Sequence, residues 1–125
     1  MENNLLDLLP RILTNDGHTL LPGEYQIEMC NEFPIILALQ RRYLDSDARL
    51  DRQSPFDDKN GKRIFENDTV IIHNFGNYEW LVVVEKNGAF KVKAINKVFE
   101  PFFLDDDLVG QGLEITGTLP WEEKE

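Results

Sequence analysis

The chain has 125 residues, 42% hydrophobic and 29% charged, a composition that supports a packed core without disulfides or metals. Its formal charge of −10 repels phosphate backbones and argues against direct nucleic-acid binding. A single cysteine, Cys30, excludes an internal disulfide framework and fits a reducing cytoplasm, and no run approaches the ~20 apolar residues of a membrane span.

The charge is uneven. Residues 1–54 carry 5 basic and 9 acidic side chains, residues 55–100 carry 7 and 7, and residues 101–125 carry 1 and 7, a net of −6 at the C-terminal end. That end reads either as a solubilising surface or as a face for a basic partner.

At the start, Leu5, Leu8, Leu9, Ile12 and Leu13 follow helical spacing behind Asn3-Asn4, with Pro10 forcing a kink or a break. The expectation is a short helical segment whose face Leu5, Leu8, Leu9 and Ile12 is covered by the core or by a second copy of the chain. Leu21-Pro22-Gly23-Glu24 has Pro and Gly where a type II turn needs them. Tyr25, Ile27 and Met29 then alternate with polar neighbours and Cys30, which predicts a half-buried strand with a buried structural cysteine. The run 33–44 suits a helix opened by Pro34 or a buried strand, and periodicity does not choose between them. Residues 45–58 shift to Asp, Ser, Arg and Gln and read as a hinge. The expected organisation is a mixed α/β segment over 1–54 and a β-domain over 55–125.

The second half is punctuated by two Asn-Gly pairs, Asn60-Gly61 and Asn87-Gly88, the strongest short-range hairpin signal. The β-branched run Thr69-Val70-Ile71-Ile72 predicts a strand, with Glu66-Asn67-Asp68 as the tight turn leading into it. At Asn87-Gly88 the register is readable. A two-residue loop sets Val84 against Lys91 and Val82 against Lys93. A three-residue loop sets Val84 against Phe90, Val82 against Val92 and Trp80 against Ala94, and gathers Lys91 and Lys93 with Glu85 on the other face. Because a one-residue slip exchanges the faces, the apolar pattern predicts the three-residue loop, a type I turn closed by a left-handed Gly88. Val109-Gly110-Gln111-Gly112 reads as a loop, and the alternation from Leu113 to Leu119 as a last strand.

The string Asp57-Asp58-Lys59-Asn60-Gly61-Lys62-Arg63-Ile64-Phe65-Glu66-Asn67-Asp68-Thr69-Val70 resembles the opening motif of the YopX-like phage protein family, D-x-N-G-K-x-I-Y/F-E-G-D-x-V. Leu81 through Val92 is similar to that family's strand pair, and Leu113 through Thr118 to its final strand. Asn67 stands where the family carries Gly, a tolerable exchange because Asn also visits positive φ. Residues 1–54 lack the aromatic, Trp-Asp-containing start of the family. The resemblance covers about the last 70 residues. It implies a mostly β domain of Gram-positive phages, prophages and plasmids, with no established enzymatic activity and a place in the bacterial host cytoplasm.

Catalytic and metal motifs are sparse. A calcium-loop register that puts Gly61 at the sixth position places Phe56 at the first and Asn67 at the twelfth, so both essential carboxylates are missing. His18 and His73 are the only histidines and lie in different elements from Cys30, so no zinc spacing or thiol dyad is signalled. Gly110-Gln111-Gly112 lacks the rest of a phosphate loop. The aromatics Phe75, Tyr78, Trp80, Phe99, Phe102, Phe103 and Trp121 are expected mostly in the core, with Tyr78, beside a loop, as a candidate interface anchor.

The expected fold is mainly β, α+β overall, as a small SH3-like barrel or β-sandwich with a short N-terminal helical or mixed segment. The expected function is that of a non-enzymatic phage or mobile-element accessory protein, without cofactor or metal, that acts by protein-protein contact. Its acidic face, Asp105, Asp106, Asp107, Glu114, Glu122 and Glu123, would engage a basic groove of a host nucleic-acid-binding or defence enzyme such as a CRISPR effector. Two alternatives are a nucleic-acid-binding module using Lys86, Lys91, Lys93 and Lys97, and a structural homo-oligomer joined through Leu5–Leu13.

Overall fold

Strands form where β-branched and aromatic residues cluster and turn where Gly, Asn and Pro interrupt them. The computed structural model describes residues 9–76, 78–95 and 99–121. The chain is mainly β, as expected, and its sheets are antiparallel. The residues divide into two compact units, 9–52 with 120–121, and 53–119. Among the described residues no helix is long and apolar enough to cross a membrane.

In the first unit, β1 (Arg11–Thr14) lies between β2 (Thr19–Leu20) and β6 (Ala48–Asp51). A second sheet runs β3 (Gln26–Cys30), β4 (Phe33–Ala38), β5 (Arg41–Leu44) as a meander. Its core is Ile12, Leu20, Ile36, Ala38 and Tyr43.

Several expectations are corrected here. The helical spacing of 5–13 does not continue as helix: residues 11–14 form β1, paired along its whole length with β6. Pro10 removes a donor, and the β-sheet partners win over the local pattern. Ile12 is 0% exposed and therefore a core residue, not part of a self-association face, and Leu9 is half-buried. Leu5 and Leu8 lie outside the described residues. The ambiguous run 33–44 is two strands, joined by Leu39 and Gln40, both at positive φ (53° and 59°). The β3–β4 turn repeats this with Asn31 and Glu32 at 52° and 71°. Pro34 is accommodated because pairing with β5 stops at Ile35 and Leu44, one residue short of it. Strand β3 was expected to be half-buried, yet all five residues are exposed, and Cys30 is an exposed free thiol. The boundary expected within 45–58 falls there, between Arg52 and Gln53, but the segment is regular rather than loop: a 3₁₀ turn at Asp45–Asp47, then β6, then the first strand of the second unit.

The second unit carries a five-stranded sheet in the order β12, β11, β10, β9, β13 and a separate hairpin, β7–β8. The ranges are β7 Gln53–Asp57, β8 Arg63–Phe65, β9 Asp68–Ile72, β10 Glu79–Val84, β11 Phe90–Ala94, β12 Phe102–Phe103 and β13 Leu113–Thr118. One helical turn, α1 (Asp106–Val109), precedes β13. Ile64, Val70, Ile72, Trp80, Val82, Val92, Leu104, Leu108 and Leu113 form its core.

The hairpin register is the three-residue one: Val84 opposes Phe90, Val82 opposes Val92, and Trp80 opposes Ala94. Gly88 has φ 88°, its N–H donates to the Glu85 carbonyl, and Lys91 Nζ reaches Glu85 at 2.8 Å. The Asn60-Gly61 turn repeats the design, with Gly61 at φ 81° donating to the Asp58 carbonyl and Asp58 N–H donating to Lys62. Asn67, at φ 70°, takes the left-handed position, as its chemistry predicts. Gly23 at φ 94° and the bond from Glu24 N–H to the Leu21 carbonyl close the expected turn in the first unit.

Candidate functional site: an aromatic groove with a carboxylate rim

Sheet edges and loop anchors bring together the aromatic residues of the second unit. Trp80 sits on β10 between Val70 and Ala94, so its ring belongs to the apolar face of the sheet, and it is 3% exposed. Phe102 pairs with Val92, which pairs with Val82, so it continues the same face at the sheet edge. Phe102 packs on Trp80 at a ring-centroid distance of 5.4 Å, and Phe99 stacks on Trp80 at 6.0 Å. Tyr78 meets Phe99 edge-on at 5.3 Å, and Phe75 meets Phe102 at 5.7 Å.

Phe75 is held in place by a network in the backbone. His73 N–H donates to Gly112, and Asn74 N–H donates to Gln111, pinning the 3₁₀ turn His73–Phe75 to the loop after α1. Gly112 has φ 87°, and a Cβ there would stand 3.1 Å from His73 Cβ, so any other residue would bring left-handed strain and push His73 aside.

These rings line a groove of about 320 Å³ with Glu100 at its rim. A second depression of about 310 Å³ shares Phe75 and Phe102 and adds Phe103, Asp105, Asp107, Leu108 and Gln111. Of the aromatics expected mostly in the core, Phe75, Phe99, Phe102 and Phe103 are exposed instead, and Tyr78, the candidate interface anchor, is exposed beside them. Only Trp80 is buried, and Trp121 is partly so. The physical reason is position. β12 is a two-residue edge strand, and no described element lies beyond it in the sheet. Among the described residues, the Trp80 indole N–H at the floor is buried without a hydrogen-bond partner.

The acidic residues singled out from sequence divide by role. Asp105, Asp106 and Asp107 are exposed, but Asp105 is the N-cap of α1 and accepts from Leu108 N–H at 2.9 Å. Asp106 and Asp107 occupy its first turn, where negative charge suits the helix dipole. Glu114 faces its own chain instead, bonding His73 Nε2 at 2.8 Å, with Lys59 Nζ at 3.6 Å and Asn60 Nδ2 at 3.4 Å. Its carboxyl is held below the usual range, chiefly by the His73 bond against some desolvation. Tyr78, 41% exposed, lines the groove as an interface anchor would. Glu122 and Glu123 lie outside the described residues.

Lys97 also lies outside the described residues. Lys91 is tied to Glu85 and stands 4.5 Å above the Phe103 ring, a cation already seated on one of the site's aromatics. Asp58, which holds the third position of the calcium-loop register with Gly61 at the sixth, spends both oxygens on backbone N–H groups. Among the described residues no cluster of His, Cys, Asp and Glu has the geometry to hold a metal ion. The groove and its adjoining depression combine apolar rings with the carboxylates of Glu100, Asp105 and Asp107.

No protein-family model matches the chain, and no curated protein or solved structure matches it either.

Proposed function

We propose that this chain is a non-enzymatic accessory protein of a phage or mobile element, acting by contact with a host protein. The contact face is the aromatic surface of the second unit with its carboxylate rim. The observation that carries the reading is the exposure of Phe75, Tyr78, Phe99, Phe102 and Phe103 on one small β unit, beside Glu100, Asp105 and Asp107. Exposed aromatic clusters with a polar rim are the hallmark of interaction surfaces. The net charge of −10 supports a basic partner, such as a nucleic-acid-binding or defence enzyme of the CRISPR-effector kind. The YopX-like pattern of 57–70 supports the phage setting and a cytoplasmic place of action.

Affinity capture from a bacterial lysate tests this, using the full chain and two variants. E100K/D107K reverses the charge of two lining carboxylates without touching the Asp105 cap, and Y78A/F102A removes ring surface. A partner held by the native chain and lost from both variants supports the reading. A partner held equally by all three refutes it.

A second reading, self-association, is favoured by a separate observation. The register of β3–β5 puts Phe33, Ile35, Leu37 and Leu44 on one face, with Phe33 72% and Leu44 57% exposed. Concentration-dependent mass by light scattering, abolished in F33S/L44S, supports this reading. A monomer at all concentrations removes it.

A further inference from the structure

We infer that the aromatic groove is a receptor for an arginine side chain presented by an extended segment of the partner. This rests on the reading of that face as the contact surface and adds the chemistry of what it holds.

Three observations converge. First, the walls are ring faces, with Tyr78, Phe99 and Phe102 41%, 46% and 44% exposed around the buried Trp80. Second, among the described residues every charged one that lines the groove and its adjoining depression is a carboxylate: Glu100, Asp105 and Asp107. An anion or an acidic peptide would be repelled there, and a neutral apolar segment would gain nothing from the charges of Glu100 and Asp107. Third, the fold itself seats a cation on this aromatic run, Lys91 on Phe103. That ammonium is balanced by Glu85, so a ring-plus-carboxylate pair already holds a cation on this unit.

Arginine fits better than lysine. Its guanidinium is planar, weakly hydrated and able to stack on a ring while its edge donates to a carboxylate.

The test uses three peptides of one sequence, Ac-Gly-Xaa-Gly-Gly-Xaa-Gly-amide, with Xaa as arginine, lysine or citrulline. Citrulline keeps the planar shape and removes the charge. Binding is read from the Trp80 indole N–H resonance, assigned against W121F, with the amides of β9 and β10 reporting that the fold is intact. The arginine peptide shifts the Trp80 signal saturably, the lysine peptide binds about threefold to tenfold more weakly, and the citrulline peptide weaker still. E100Q and D107N each weaken the arginine peptide about threefold and reduce its salt dependence. Y78A weakens it to a similar degree.

Equal binding of the arginine and citrulline peptides overturns the cation proposal and leaves the face as a contact surface. Binding unaffected by E100Q, D107N and Y78A places the peptide elsewhere and overturns it as well. No shift with any peptide overturns both the arginine site and the reading of this groove as a peptide surface.

Discussion

Asp58 Oδ2 accepts the backbone N–H of Ile115 at 3.0 Å, across 57 positions of sequence, and so fastens the β7–β8 turn to the last strand. Its Oδ1 accepts from the N–H groups of Asn60 and Lys62, each at 2.9 Å, and Lys59 N–H donates to the Leu113 carbonyl beside it. The residue is 5% exposed. One carboxylate thus shapes the turn and docks it.

Substituting Asp58 therefore costs more than a surface turn residue would. Hydrogen bonds to a buried charged group are worth about 1.5–3 kcal/mol, and orphaning the donors adds to the loss. D58A is expected to lower unfolding stability by about 3 kcal/mol in urea titration. E85A, at the equivalent position of the other Asn-Gly turn, is expected to lower it by less than about 1 kcal/mol. Equal effects would contradict the docking role.

Acid should unfold the protein through the same group. Burial raises the Asp58 pKa, but the N–H groups of Ile115, Lys62 and Asn60 and the Lys62 charge outweigh it, so the pKa lies below the ordinary value. Glu114 is lowered too, through His73, and Asp16 through Thr14. Each of these carboxyls binds its proton more weakly in the folded chain than in the unfolded one. Their stabilisation is fully present above the unfolded pKa of about 4 and is lost as pH falls through the depressed folded values. The urea midpoint should hold from pH 7 to about 5 and fall below about 4. In D58N the fall should be shallower, since the amide does not titrate.

The glycines rank by surroundings. At Gly61 and Gly88 an added Cβ meets nothing within 4 Å, so alanine costs only the left-handed strain of about 1–2 kcal/mol. At Gly112 the same strain is joined by a contact of 3.1 Å with His73. G112A should be the most destabilising of the three in denaturant titration. It alone should also move the Phe75 and Trp80 ring resonances, because His73 heads the turn that places Phe75.

In the first unit, Asp51 is 0% exposed and sits between two buried guanidinium groups. Arg11 reaches it at 2.7 Å and Arg49 at 2.8 Å, and Arg49 also donates to the Pro120 carbonyl at 2.7 Å. D51A removes the counter-charge shared by both buried cations and should cost about 3–5 kcal/mol, by thermal or urea unfolding. Replacing all three residues with apolar ones of similar volume should cost much less, because the desolvation of charge disappears along with the attraction.

Signals carried by neighbouring residues were legible in the chain. The Asn87-Gly88 register followed from the face on which Val82, Val84, Phe90 and Val92 must lie, and the Leu21–Glu24 turn from Pro and Gly at fixed places. Asn67 at positive φ was likewise readable, because one residue's own sterics set it. What depended on distant partners was not. Ile12 looked helical until β6 paired with it, Leu39-Gln40 carries no glycine to mark its left-handed turn, and Cys30 looked buried on a strand that is exposed. Asp58 and Glu85 stand at equivalent places in two similar turns, yet only the approach of β13 makes one of them an anchor. The aromatic groove belongs to the second kind. Its rings are spread over 75–103, and a ring's hydrophobicity alone does not say whether another element will cover it. The local chemistry of the sequence determined the Leu21–Glu24 and Asn-Gly turns, the register of the β10–β11 hairpin and the mainly β class. Only the tertiary arrangement, by leaving the edge strand β12 open, decided which aromatics would face outward beside carboxylates.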